Sequence, residues 1–277
     1  MPELPEVETM RRAVAGAAGG RLVGVVKLRC PRKPILLAPR QDSFRRRAVG
    51  KAIVAVDRVG KRVLLRLESG DAVVLEPRMT GLVLRGESPD PLYLRVRLDV
   101  GGADCDAVWY WDRRGLGNVR LLSPAEQAQA FGPHRLGPDG LEIRFDDLHR
   151  RLAASRRAVK VALLDQTVVA GIGNIYAAEI LHVAGVHPAA RCDRLSKPKW
   201  RRIADATHEV LEEAIRCEGS SLGDGTYRNA LNQDGSYQNL HRVYGRVGEP
   251  CARCGGEIKR VVQAQRSTFF CPGCQRR

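Results

Sequence analysis

The sequence predicts an α+β fold: an N-terminal helix with a β-sandwich, then a separate helical domain that ends in a cysteine-bound β-hairpin. Three observations predict it. Apolar residues near the start fall at helical spacing, short alternating runs fill residues 22 to 122, and helical spacing returns from residue 146 until two Cys-x-x-Cys pairs close the chain. A chain of 277 residues is long enough for two ordinary domains, or for one larger domain with an appendage, so a sizeable core is possible.

Residues 5 to 18 place Val7, Met10, Val14 and Ala17 or Ala18 on one helical face. Pro5 suits a first turn, and Glu6 and Glu8 complement the positive end of the helix dipole. From Leu22 to about Leu122 the runs AIVAVDRV, RVLLRLE, AVVLEP, LYLRVRLDV and AVWYW, cut by Gly, Asp and Pro, read as strands of an antiparallel sandwich or barrel. The stretch Ser123–Gly140 holds three prolines and three glycines and reads as the linker. In the helical region Asp146 can cap DDLHRRLAA, AVKVALLD makes a second helix and NIYAAEILHVAG a third. Ser196 can cap a long helix in which Trp200, Ile203, Thr207, Val210 or Leu211, and Ala214 or Ile215 share a face. The predicted partition is therefore a β-sandwich domain over 1–130, a linker over 131–145, a helical domain over 146–240 and a hairpin over 241–277. Residues 219–239, rich in Gly, Ser and Asn, read either as a functional lid or as a plain surface excursion.

The formal charge of +15 and a pI near 9.9, with only 5% aromatics, favour a polyanionic partner over small hydrophobic ligands. DNA, ribosomal RNA and an anionic membrane surface all fit that number. Residues 241–277 carry eight Lys or Arg against two Glu, which marks this tail as a nucleic-acid contact. No apolar run approaches a membrane span, and the acidic, Pro-containing start is unlike a secretory signal. The expected location is the bacterial cytoplasm, in association with the nucleoid, or else a nucleus. Cys30, Cys105, Cys192 and Cys217 are scattered and read as reduced thiols.

The other four cysteines form Cys251-Ala-Arg-Cys254 and Cys271-Pro-Gly-Cys274, with 16 residues between the pairs. That spacing lies inside the range expected of a four-cysteine zinc site, the other reading being two disulfides or redox pairs. Four thiolates leave no open coordination position, so a single zinc ion would be structural, holding a tail too short to stabilise itself by burial. Gln265-Arg266-Ser267-Thr268 within the hairpin offers a cation and hydroxyls suited to phosphate. Ala170–Asn174 reads AGIGN; Tyr176 stands where a dinucleotide fingerprint needs a third glycine, but a glycine turn leading into Asn174 at a helix start can meet a phosphate. Met1 precedes Pro2, a small residue that permits removal of the initiator methionine. The chain would then start with a secondary amine, partly unprotonated and nucleophilic at neutral pH, beside Glu3 as a proton donor or acceptor. Lys61 lies at a turn in VGKRVLL, where charge alone assigns it no role.

Taken together, PELPEVETMRR, VGKRVLL, RMTG, the AVKVALLDQ-x-VVAGIGNIYAAEIL block, VYGRVGEPC and AQRSTFFCPGC resemble the formamidopyrimidine-DNA glycosylase family, which also contains endonuclease VIII. The resemblance spans nearly the whole chain, and PELPE and AQRSTFFC are nearer the purine-lesion branch. It implies an N-terminal helix on a two-sheet β-sandwich, a helix-two-turn-helix domain carrying a lesion-capping loop, a zinc-finger β-hairpin, and damaged double-stranded DNA in the cleft between. Pro2 would be the nucleophile that attacks C1′ and forms a Schiff base, Glu3 the source of the proton that opens the sugar ring, and Glu6 a supporting carboxylate. Lys61, Asn174 and Arg266 would contact phosphates, with Lys160 and Tyr244 also facing DNA. Two segments depart from the family pattern. Where Arg-Arg-Phe is usual, Arg114-Gly115-Leu116 stands, leaving Leu116 as the wedge and Met79 as a second filler; where His-Leu-Gly is usual, Glu76-Pro77-Arg78 stands. The activity implied is that of a monomeric, bifunctional glycosylase and AP lyase of base-excision repair, acting on 8-oxoguanine and formamidopyrimidines with β,δ-elimination. The alternatives are a silent or altered-specificity zinc-dependent binder of damaged DNA, and a basic zinc-ribbon protein of the ribosome or transcription machinery.

Overall fold

A computed structural model describes residues 1–221, 227–229 and 232–276. Helix α1 spans Leu4–Ala13, with Glu3 in extended conformation as its N-cap and the Glu6 carboxylate accepting the Glu3 N–H at 2.8 Å. The strands follow: β1 (Arg21–Lys27), β2 (Leu36–Ala38), then helix α2 (Gln41–Ala48), β3 (Ile53–Val59), β4 (Arg62–Leu67), β5 (Ala72–Glu76), β6 (Gly81–Leu84), β7 (Leu94–Gly101), β8 (Ala107–Asp112) and β9 (Asn118–Leu122). They form a four-stranded antiparallel sheet, β1-β7-β8-β6, and a five-stranded sheet, β2-β9-β5-β4-β3.

One core joins the two sheets. Val7 and Met10 of α1 and Val14 just after it pack with Val63, Leu65, Val73 and Leu75 of one sheet and Leu82, Leu84, Val96 and Leu98 of the other. The odd-numbered residues of β4 enter this core, whereas Leu64 turns the other way to join Ala72, Val74 and Leu122. The central strands β4, β5 and β9, buried on both faces, explain why RVLLRL and AVVLE read as nearly continuous apolar runs.

Three local features differ from expectation. Gln41–Ala48, inside the region predicted as strand, is helical because Phe44 and Ala48, four residues apart, are fully buried while Arg45 and Arg46 remain exposed. The pairing is not wholly antiparallel, since β2 runs parallel to β9; β2 leads into α2, so no hairpin returns its chain. The predicted linker Ser123–Gly140 contains helix α3 (Pro124–Phe131). Ser123 accepts the Glu126 N–H at 3.3 Å and Glu126 accepts the Ser123 N–H at 2.7 Å, a capping box with Pro124 at the first turn; Ala130 and Phe131 cover the outer face of the sheet.

Helices α4 (Phe145–Leu152), α5 (Val159–Leu163), α6 (Asn174–Val183) and α7 (Lys197–Arg216) follow, then strands β10 (Lys259–Gln263) and β11 (Arg266–Phe270). The cap of α4 is Arg144 and not Asp146, because Asp147 three residues on is the carboxylate placed to accept the Arg144 N–H, at 3.4 Å. In α7, Trp200, Ile203, Thr207, Val210, Leu211, Ala214 and Ile215 are all buried, as their spacing predicts. No described helix is long and apolar enough to cross a membrane.

The chain divides into two compact units, Met1–Gly132 with Cys217–Ser236, and Pro133–Arg216 with Tyr237–Arg277. Described residues 217–236 thus group with the sandwich and not with the helices to which the sequence assigned them. Tyr227 is the reason: it enters the sandwich core, and its hydroxyl donates to the Glu218 carbonyl at 2.8 Å. The predicted lid over 219–239 lies partly outside the described residues, at 222–226 and 230–231.

Candidate active site and nucleic-acid contacts

The start of α1 gathers the first candidate site. Pro2 is buried, and Glu3 and Glu6 are 2% and 1% exposed. Glu6 spends one carboxylate oxygen on the Glu3 N–H at 2.8 Å and the other on the Ser220 N–H at 2.9 Å, so it ties the N-terminus to the loop at 217–221. Gly219 must be glycine there. Its φ is +80°, and a Cβ would sit 2.7 Å from the Glu6 carboxylate. On the next turn, burial alone would raise the Glu8 carboxyl. Hydrogen bonds from Arg11 and Arg12 and the charge of Arg58 outweigh it and hold Glu8 below the ordinary carboxylate value.

Three turns of the same unit carry the other candidates. Lys61 is half-exposed in the two-residue turn between β3 and β4, where Gly60 supplies the positive φ, 57°, that such a hairpin takes at its first position. Met79, 39% exposed, follows Arg78, whose φ of 52° is left-handed without the freedom of glycine. The Glu76 carboxylate draws Arg62 at 3.1 Å, Arg78 at 3.6 Å and Arg120 at 3.8 Å, and the Asn118 amide donates to it at 2.8 Å. Asp112, fully buried, shapes the third turn. It accepts the Thr80 hydroxyl at 2.6 Å and the N–H groups of Arg114 and Gly117 at 3.1 and 2.8 Å, which leaves Arg114 exposed and Leu116 half-buried. Gly115 has φ +64°, and a Cβ on it would lie 2.2 Å from the Lys33 carbonyl oxygen. A larger residue therefore has no room at this position.

In the second unit, Asn174 opens α6 behind Gly173. Gln166 fixes the glycine turn before it, donating to the Ile172 carbonyl at 2.8 Å and accepting the Gly171 N–H at 3.0 Å. Arg266 is exposed at the start of β11, after a turn in which Ala264 (φ 45°) and Gln265 (φ 60°) are both left-handed. Two non-glycine residues held there mark a tip whose shape is kept at a cost in strain. Tyr244 is half-buried, its ring edge-on to Phe269 with centroids 5.1 Å apart.

Lys160 does not face solvent, contrary to its assignment as a DNA contact. It is fully buried, and its ammonium donates to the Asn174 side-chain carbonyl at 2.6 Å, the Thr268 hydroxyl at 2.8 Å and the Ser267 carbonyl at 3.1 Å. Asn174 also donates to Ser267 at 3.1 Å. The lysine positions Asn174 and docks the hairpin strand, because a buried ammonium needs acceptors and these three supply them. Lys160→Met should lower unfolding stability by about 3 kcal/mol by stranding those acceptors. Urea titration checks it; unchanged stability with weakened DNA binding would return Lys160 to direct contact.

The cysteines fit a metal. All four sulfurs lie within 4.8 Å of one another, with Cys251–Cys274 at 3.9 Å and Cys254–Cys271 at 3.4 Å. Zinc–thiolate bonds of about 2.3 Å make a tetrahedron with edges of about 3.8 Å, whereas a disulfide needs about 2.05 Å. The chain therefore holds one structural zinc, through Cys251, Cys254, Cys271 and Cys274. A His182 ring nitrogen lies 3.4 Å from the Cys251 sulfur.

Several positioning residues escaped the sequence reading. Glu179 is fully buried in α6 and accepts the N–H groups of Arg242, Val243 and Tyr244 at 2.8, 3.0 and 2.8 Å; burial raises its carboxyl and these bonds oppose the rise. A lone carboxylate in the apolar run NIYAAEILHV was the available signal. Asp112 carried none, because its Thr80 partner lies 32 positions away.

The comparisons with known proteins agree with this arrangement. Residues 1–119 match the profile of the formamidopyrimidine-DNA glycosylase N-terminal domain, 136–225 that family's H2TH domain, and 248–277 a zinc finger found in FPG and IleRS. The chain is 38% identical over 279 residues to the formamidopyrimidine-DNA glycosylase of Desulfitobacterium hafniense, covering 99% of this chain and 100% of that one. It is similar to the crystal structure of the MutM (Fpg) protein from Thermus thermophilus, with TM-score 0.82, 36% identity and coverage of 99% and 98%. It is also similar to a Lactococcus lactis Fpg mutant in complex with DNA containing Fapy-dG, with TM-score 0.86, 31% identity and full coverage of both chains.

Proposed function

This chain belongs to the formamidopyrimidine-DNA glycosylase family of DNA-repair enzymes, and from that premise we propose that it excises oxidised purines from duplex DNA by a Schiff base on Pro2 and then cuts the strand. The observation that carries this reading is the pair of buried carboxylates, Glu3 and Glu6, beside Pro2 at the start of α1. With Met1 removed, the Pro2 secondary amine attacks C1′ of an extruded nucleotide, the N-glycosidic bond breaks, and the base leaves with that electron pair and a proton. Glu3 supplies the proton that opens the deoxyribose ring, and the resulting iminium makes the C2′ proton acidic enough for β- and then δ-elimination of the two phosphates. Glu6 acts through the backbone, fixing the Glu3 N–H and the Ser220 N–H. Lys61, Asn174 and Arg266 hold phosphates and Arg114 contacts the duplex, while Leu116 and Met79 fill the space that the extruded base vacates. Tyr244, half-buried against Phe269, backs the hairpin and supports the DNA-facing strand. The enzyme acts as a monomer. The Fapy-dG in the complex of the Lactococcus lactis relative supports a purine lesion as substrate.

A duplex with one formamidopyrimidine tests the reading. The expected product is a one-nucleotide gap with phosphate on both ends; tight binding with an uncut strand would favour a silent damage-binding protein. Arg266→Ala should weaken binding to lesion and undamaged duplexes by similar factors and reduce the salt slope by about one unit, the loss of one phosphate contact. A loss confined to one lesion would place Arg266 in base recognition instead.

A further inference from the structure

The end of β1 and the turn after it carry the exposed cations Lys27 and Arg29. Residues around it enclose a cavity of about 180 Å³, lined by Lys27, Arg29 and Arg95 together with the apolar Leu28, Pro34 and Ile35. No acidic side chain lines it. Lys27 and Arg29 are exposed, and the cavity has room for several waters or for one tetrahedral oxyanion.

Arg95 is the unusual member. It is only 2% exposed; its Nε donates to the backbone carbonyl of Asp112 at 2.8 Å, but its Nη2 has no hydrogen-bond partner. Buried donors are rarely left unmade, and an unmade donor on a charged group costs more than one on a neutral group. A planar guanidinium matches the paired oxygens of phosphate, and two further cations at one cavity raise the local potential for an anion. Arg95 also meets the start of the turn at 113–117, where it holds the Asp112 carbonyl.

We propose that Lys27, Arg29 and Arg95 form a binding site for a phosphate-class oxyanion, supplied either by free orthophosphate or by a phosphodiester of a bound duplex. The site is separate from the Pro2 chemistry, so orthophosphate binding to DNA-free protein can fail while base excision stands, and the reverse.

The test uses the full-length zinc-loaded protein. Its thermal midpoint is followed in orthophosphate and in sodium chloride at matched ionic strength, and its affinity for an undamaged duplex is measured across a salt series. The variants are Arg95→Met and the double variant Lys27→Ala/Arg29→Ala, whose exposed positions leave folding intact even if Arg95→Met does not fold. Orthophosphate should raise the midpoint saturably, and the double variant should need about tenfold more of it. If the source is the duplex, orthophosphate competes with DNA and the double variant lowers the salt slope by about one to two units. If the source is the free ion, the slope stays and the two ligands bind independently. No response to orthophosphate beyond that to chloride, with an unchanged slope, overturns the site. So does a slope change from Lys27→Ala/Arg29→Ala that persists in full alongside Arg95→Met, since the residues would then share no anion.

Discussion

Adding one residue before Pro2, so that its nitrogen stays in an amide, should abolish both strand cutting and borohydride-trapped crosslinking to lesion DNA. An amide nitrogen has no free lone pair for attack on C1′, so the loss should reach the limit of detection and not a few-fold. Pro2→Gly keeps a terminal amine and should retain some trapping. Lys61→Ala should slow base removal but leave trapping on a preformed abasic site, because a lysine ammonium is mostly protonated at neutral pH whereas a terminal amine titrates near pH 8. Peptide mapping of the crosslink separates the two. An adduct on Lys61, or none on a duplex that the protein binds tightly, would sink the Pro2 mechanism; intact mass showing Met1 absent is the companion measurement.

Stripping the zinc should be the next largest effect. A chelator, or Cys251→Ser, should abolish DNA binding while the first unit remains folded, because metal-binding free energy, about 10–16 kcal/mol for structural zinc, is folding energy for the hairpin. The small cluster of Ala178, Val243, Ile258 and the cysteines cannot replace it. Trp109 and Trp111 lie in β8 and Trp200 in α7, so near-ultraviolet dichroism in a Trp200→Phe background reads the first unit. Undiminished DNA affinity after chelation would remove the hairpin from the binding surface.

What could be read from the sequence follows from the range of each signal. The buried face of α7 and the cysteine spacing are periodic and local, and both are present as read. The Ser123–Glu126 capping box was equally local, but the surrounding prolines and glycines masked it. Lys160 illustrates what cannot be read: its acceptors Ser267 and Thr268 lie more than a hundred positions away, so sequence shows a basic residue and nothing of its burial. Asp112 likewise works across 32 positions to Thr80. At the N-terminus the amine of Pro2 and the carboxyl of Glu3 were legible as candidates from their chemistry, but a Pro-Glu start says little about burial, and the supporting place of Glu6 came only through resemblance.

The Glu6–Ser220 hydrogen bond spans 214 residues, and this sets an order of events during synthesis. At about 5–20 residues per second the ribosome needs roughly 10 to 40 s to make the partner that closes around the start of α1. Until then the sandwich lacks Tyr227 and the N-terminus lacks its cover. In the completed unit Pro2 is buried while Met1 stays half-exposed. Chain topology thus joins the end made first to a segment made near the last, so the surroundings of Pro2 are completed only late in synthesis.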